Sequence, residues 1–311
     1  MTTGTAIRSH RTHLVERAVE GFGGSAGLKL LAWNRRDAEA EQDPAKRPAP
    51  SPAERAADPP ARAPAIPITA LLRAGLAAAP GSAERSRLTE EIALVQAQVL
   101  RTVAATLPAE DRCGRVVLVT SARPGEGKTF TALNIAASIA SDGAQPVILV
   151  DADGKQGNIS SMLGQSDAPG LRSLAGDVAR HPASLLVPTE ICRMALLPFG
   201  ALLPGESGTP PGAAVTVAIL RLAAALPDHI IILDAPPCLS SSDPSLLASI
   251  AGQVVMVVEA ERTQRGEVES ALDMVDTCPT LQLLLNRVRL TTRDSFGAYG
   301  SYGGQGADAG P

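Results

Sequence analysis

VVLVTSARPGEGKTFTALNIA, residues 116–136, is the stretch from which the rest of the chain is read. An unbroken apolar run of β-branched character leads into a turn rich in glycine. Gly127-Lys128-Thr129 follows, and then a helical pattern closing on Gly143. Strand, glycine loop and helix in that order form a phosphate-binding loop. Gly125 and Gly127 let backbone N–H groups turn inward, and the new helix presents its positive end and unpaired donors to an anion. Lys128 is placed to reach the β- and γ-phosphates of a nucleotide, and the Thr129 hydroxyl to coordinate Mg²⁺. The loop from Pro124 through Gly125, Glu126, Gly127, Lys128 and Thr129 to Phe130 is the expected nucleotide contact, with Glu126 read as a solvated side chain without a catalytic role. A strict G-x-x-x-x-G-K-[ST] pattern has glycine where this chain has Ala122.

Working outward, the same alternation repeats. PVILVDADGK (146–155) carries Asp151 and Asp153 at the end of an apolar run, and HIIILDAPP (229–237) carries Asp234 in the same place. Further strands are expected at LLPFG, QVVMVVEA and LQLLLNRV, with helices such as AAVTVAILRLAAALPD and GEVESALDMVDT between them. Unbroken apolar strands alternating with helices predict an α/β fold, a mostly parallel sheet covered on both faces in three layers. Ligands bind at the carboxyl ends of such strands. Asp151, Asp153 and Asp234 are therefore expected beside the phosphate loop with Lys128 as catalytic residues, Asp151 and Asp234 holding Mg²⁺ and one of the acids orienting or deprotonating a nucleophile.

Upstream, SAERSRLTEEIALVQAQVLRTVAAT (82–106) predicts a long helix, with Ile92, Val95, Val99 and Val103 at helical spacing. Residues 37–68 are rich in proline, alanine and charge and read as a disordered linker. Residues 1–36 are expected to hold one short helix, HLVERAVEGFGG. The main domain is expected over 69–290, followed by a glycine-rich mobile tail over 291–311. No run reaches the ~18 apolar residues of a membrane span, and the N-terminus has no apolar leader core. The net charge of −4 gives no electrostatic case for nucleic-acid binding. Cys113, Cys192, Cys238 and Cys278 are scattered and read as reduced thiols. The chain has only four lysines, and two of them, Lys128 and Lys155, fall in these motifs. Its only two tyrosines, Tyr299 and Tyr302, both lie in the tail, where an aromatic with a polar handle has no core to pack against.

SARPGEGKT, ILVDADGK and IIILDAPP resemble the Walker A, A′ and B motifs of bacterial protein-tyrosine kinases, relatives of the septum-placing and chromosome-partitioning ATPases. The resemblance runs over about residues 84–302. HLVERAVEGFGG and SFGAYGSYGG resemble the two ends of the subgroup found at exopolysaccharide loci associated with exosortase sorting. The resemblance implies a deviant Walker P-loop fold and an ATP- and Mg²⁺-dependent autokinase, cytoplasmic and peripheral at the inner membrane. It implies phosphorylation of Tyr299 and Tyr302 in trans within a homo-oligomer, and a transmembrane polysaccharide chain-length regulator as partner. It also implies that Asn286 contacts adenine. Arg123 stands where the partitioning ATPases have lysine, a position that varies in these kinases, which favours the kinase reading. The chain departs from the kinase pattern in two places. Lys155 stands where D-x-D-x-R has arginine. In the E-x-x-R-x-x-R helix Glu90 is followed by Ala93 and Gln96. Two alternatives therefore stay open, an ATPase switch of the partitioning type and a nucleotide-binding adaptor with little turnover.

Overall fold

The computed structural model of the chain describes residues 64–82, 86–106, 112–143, 145–201 and 212–289. The helix expected near the N-terminus, most of the proposed linker and both tail tyrosines lie outside the described residues.

Among the described residues the strands are β1 (Cys113–Ser121), β2 (Val147–Asp151), β3 (Val187–Pro188), β4 (Met194–Leu197), β5 (Ile230–Asp234), β6 (Ala251–Glu259) and β7 (Leu281–Asn286). They form one sheet in the order β3-β4-β2-β5-β1-β6-β7. Every pairing is parallel except β3 with β4. The two-residue β3 was not expected: it contains a proline and is too short to show periodicity. The helices are α1 (Ile68–Arg73), α2 (Arg87–Ala105), α3 (Lys128–Ser141), α4 (Ile159–Met162), α5 (Leu171–Gly176), α6 (Gly212–Ala225), α7 (Asp243–Ile250) and α8 (Arg265–Met274).

Strand side chains alternate between faces, so each central strand feeds two cores. Val116, Leu118, Ile148, Val150, Ile231 and Leu233 pack with α5, α6 and α7 on one face. Val117, Val119, Leu149, Ile230, Ile232 and Val255 pack with α1, α2 and α3 on the other. This double burial is why the strands read as continuous apolar runs. The helix expected over 82–106 begins at Arg87, where the Ser86 side chain accepts the Thr89 N–H and caps it. Its inner face carries a polar tie. Buried Gln253 of β6 donates to the Val99 carbonyl at 3.0 Å and accepts from Gln282 at 2.9 Å.

The linker reading needs correction at its end. Ile66 is 1% exposed. It bridges Thr189 in parallel, donating its N–H to the Pro188 carbonyl and accepting the Glu190 N–H, both at 2.9 Å. The Glu190 carboxylate then takes the Ile68 N–H at 2.7 Å, at the start of α1. One apolar residue among prolines is invisible to composition, yet it extends the sheet's neighbourhood by a strand-like contact. We expect Ile66→Ala to lower the unfolding free energy by about 2–4 kcal/mol, read from the urea midpoint. A free linker would give no change.

Candidate nucleotide-binding and phosphoryl-transfer site

β1 ends at Ser121 and α3 starts at Lys128, so the phosphate loop occupies residues 122–127. Gly125 and Gly127 have φ of 89° and 99°, left-handed values that a side chain resists. A side chain at 127 would also run into the Asn286 amide. The first-turn N–H groups of α3 have no partner within the helix, and they face this loop.

Glu126 is not solvated. Its carboxylate is 2% exposed and accepts the Arg123 N–H at 2.6 Å, the Thr263 hydroxyl, and the Glu259 N–H at 3.5 Å. These donors replace the water it loses and tie the loop to the β6–α8 connection. Thr263 lies far away in the chain, and no local pattern foretold the contact. Only the Glu126 backbone therefore remains to meet a phosphate. Asn286, expected at the adenine, donates its amide to the Glu126 carbonyl at 2.9 Å and braces the loop from the end of β7. The Phe130 ring lies close to Gly75, in a groove beside α2 and β7. The Arg123 guanidinium pairs with Glu267 at 3.0 Å.

β2, β5 and β1 are neighbours, and Asp151 stands opposite Asp234 in the β2–β5 register. The parallel arrangement thus brings all three acids to the phosphate loop. Lys128 Nζ lies 2.8 Å from Asp153 and 3.6 Å from Asp234. It also donates to the Thr129 hydroxyl at 3.3 Å. Burial pulls the Lys128 pKa down, but Asp234, Asp153 and Asp151 outweigh it, and the net direction is up.

The three carboxylates differ. Asp151 is fully buried and accepts both the N–H and the hydroxyl of Ser160 and the N–H of Asp153. Burial pushes its pKa up to about 7 despite these donors. In this arrangement it holds the turn that aims Asp153. Asp153 faces Lys128. Asp234 is 0% exposed, and neither oxygen has a hydrogen-bond donor of normal geometry. Burial raises its pKa to about 6, with Lys128 and the Thr129 hydroxyl acting in the opposite sense.

Among the described residues no three His, Cys, Asp or Glu side chains converge on one point. Mg²⁺ does not require that: it is held by one or two carboxylates, waters and substrate phosphates. The orphaned Asp234 carboxylate near Thr129 fits such a site. Beside Asp153 a cleft of about 230 Å³ opens, walled by Lys155, Phe199, Val215, Leu246 and Asp243.

The Asp234 shift has a definite sign. Its folded pKa of about 6 lies above the ordinary 3.8. The folded state therefore holds a proton that the unfolded state has released, and stability falls as pH rises from about 4 to 6. Asp234→Asn removes that loss. We expect it to match the native protein near pH 4 and to exceed it by about 1–3 kcal/mol above pH 7, measured by denaturant melts without nucleotide. An equal effect at both pH values would contradict this.

The profile of the family described as ParA, NUBPL iron-transfer P-loop NTPase, matches residues 112–289. EpsB of Ralstonia nicotianae is 31% identical over 190 residues, which are 60% of this chain and 24% of EpsB. Tyrosine-protein kinase YwqD of Bacillus subtilis is 26% identical over 193 residues, 61% of this chain and 80% of YwqD. The kinase domain of Escherichia coli tyrosine kinase Etk has the same fold, with a TM-score of 0.53 at 22% identity over 71% of this chain and 82% of that domain. Because the family match runs over more than half of the sequence, the chain belongs to the ParA family of P-loop NTPases, and within it resembles the bacterial tyrosine-protein kinases.

Proposed function

We propose that this chain is an ATP- and Mg²⁺-dependent protein-tyrosine kinase that phosphorylates Tyr299 and Tyr302 of its own C-terminal segment and so regulates exopolysaccharide biosynthesis or export. The observation that carries the reading is the pairing of Asp153 with Lys128 at 2.8 Å, at the mouth of the cleft. A phosphate loop alone serves many NTPases. A second carboxylate poised on its lysine suits one that must also handle a nucleophile's proton. The kinase names of YwqD and Etk support the same class. The iron-transfer half of the family description calls for clustered thiolates, and the cysteines at 113, 192, 238 and 278 form no paired motif.

In this mechanism the backbone of the loop and the first turn of α3 bind the phosphates. Bound Mg²⁺, held by Thr129 and Asp234, would neutralise charge on the β- and γ-phosphates. Lys128 exchanges Asp153 for phosphate oxygens, which frees the Asp153 carboxylate. The tyrosine hydroxyl enters by the cleft and passes its proton to Asp153. Its oxygen bonds to the γ-phosphorus as the bond from that phosphorus to the ADP oxygen breaks, and the electron pair leaves with ADP. The internal ion pair thus makes release of the base depend on arrival of the nucleotide. A transmembrane polysaccharide chain-length regulator as partner, a homo-oligomer, and a cytoplasmic place at the inner membrane belong to the same proposal.

A second reading, a nucleotide-binding adaptor with little turnover, is favoured by Gln96. It is buried between α2 and α3, bonded to Ser138 and Asp142. It stands where the family's oligomer helix carries arginine, so that position is spent inside this chain.

The test is phosphosite mapping by mass spectrometry after incubation with MgATP, with and without a co-expressed membrane partner. Label is expected on Tyr299 or Tyr302. Lys128→Met should abolish it, and Asp153→Asn should lower the rate by about 10²–10⁴ while MgATP affinity changes only a few-fold. Free phosphate without labelled tyrosine would point to the partitioning-type switch. MgATP binding with neither product would point to the adaptor.

A further inference from the structure

β7 is an edge strand. Between it, α2 and the start of α3 lies a groove of about 320 Å³, lined chiefly by Leu88, Leu94, Val95, Phe130, Leu284 and Leu285. Leu94 is 71% exposed and Leu285 60%. Glu91 at its rim is paired with Arg87 at 2.7 Å, and apart from Thr131, Asn134 and Asn286 the rest of the lining is apolar. Large aliphatic side chains gathered in one concave surface mark a binding site more than singly scattered ones do.

We infer that this groove is the docking site of the aromatic segment Phe296–Tyr302 of the same chain. Three observations select that occupant over others. The described chain leaves β7 at Asn286 and runs to Arg289, beside the groove's own wall. From Arg289 to Phe296 the chain can span up to about 24 Å, longer than the ~20 Å of a six-residue strand, so the rings can return along the groove. A ligand tethered this close meets the site at a high effective concentration. Finally, FGAYGSYGG places an aromatic at every third residue, each followed by glycine. An extended path with three residues per turn sets Phe296, Tyr299 and Tyr302 on one side. Their rings are the apolar surface of that segment, and the groove is a concave apolar surface within its reach.

The docked state has a regulatory consequence, and this part rests on the proposed tyrosine phosphorylation. A phosphate on a docked ring would carry nearly two negative charges into a largely apolar groove. Unmodified tyrosines are held in place, and modified ones are released. The groove also touches the nucleotide machinery, because Phe130 follows Thr129 and Asn286 bonds the Glu126 carbonyl.

Hydrogen exchange on the full chain without ATP tests the docking, so a failure of the kinase reading leaves this arm intact. Amides of residues 88–95 and 284–286 should exchange about tenfold faster in the Phe296→Ala/Tyr299→Ala/Tyr302→Ala variant. The reciprocal variant, Leu94→Glu/Leu285→Glu, changes exposed residues outside the site. It should speed exchange over 294–302 and open the bond after Arg293 to trypsin, with MgATP affinity unchanged. The native protection should persist on tenfold dilution. Tyr299→Glu/Tyr302→Glu should behave as the alanine variant does. Unchanged exchange in both the alanine and the groove variants would overturn the proposal. Protection that vanishes on dilution, with a dimer in sedimentation, would assign the groove to a second copy instead.

Discussion

Lys128 stands on the first turn of α3 with Asp153 at 2.8 Å and Asp234 at 3.6 Å, and Asp151 behind them. One buried ammonium among three acids is a poor arrangement for stability. Each carboxylate has lost water, and a single cation cannot serve all of them. The raised pKa values of Asp151 and Asp234 register this deficit. The cost is tolerated because β1, β2 and β5 are held rigidly by cores on both faces. Bound Mg²⁺ would set a cation beside Asp234, and phosphate oxygens would take the place of Asp153 at Lys128. Stability and function therefore pull against each other at these residues.

The rigidity comes from around the loop as well as beneath it. The Glu126 carboxylate ties it to Thr263 and to the end of β6, and Asn286 ties its backbone to the end of β7. These contacts use buried polar groups with satisfied partners, which fix geometry more sharply than apolar packing does. They also mean that the last two strands, which carry none of the acids, still shape the phosphate site. The same edge of the sheet bears the groove, so an event there has a short physical route to the nucleotide.

Near the acids, two neighbouring aspartates take different partners. Asp151 and Asp153 are two residues apart on an extended segment. The first turns into the protein and is consumed by Ser160, and the second meets Lys128. Ser160 belongs to a four-residue helix, and its hydroxyl accepts the Phe199 N–H at 2.9 Å.

Much of this was legible in the chain. Strand, glycine loop and helix over 116–136 is a local pattern, because φ preferences and apolar runs act within a few residues. The two strand-end acid motifs are local as well, and the parallel sheet follows from strands apolar on both faces. The fold class, and which residues meet at the carboxyl ends of the strands, can be read from the chain alone. Which acid holds a turn and which meets the lysine is fixed by the folded arrangement. The burial of Glu126, the inclusion of Ile66 in the domain and the bracing role of Asn286 were also settled only there. Each of those outcomes depends on a partner distant in the chain, among them Thr263, Thr189 and the loop carbonyl at 126. A hydrogen bond or an apolar contact is set by where the folded backbone brings two groups, and sequence spacing carries no record of that distance.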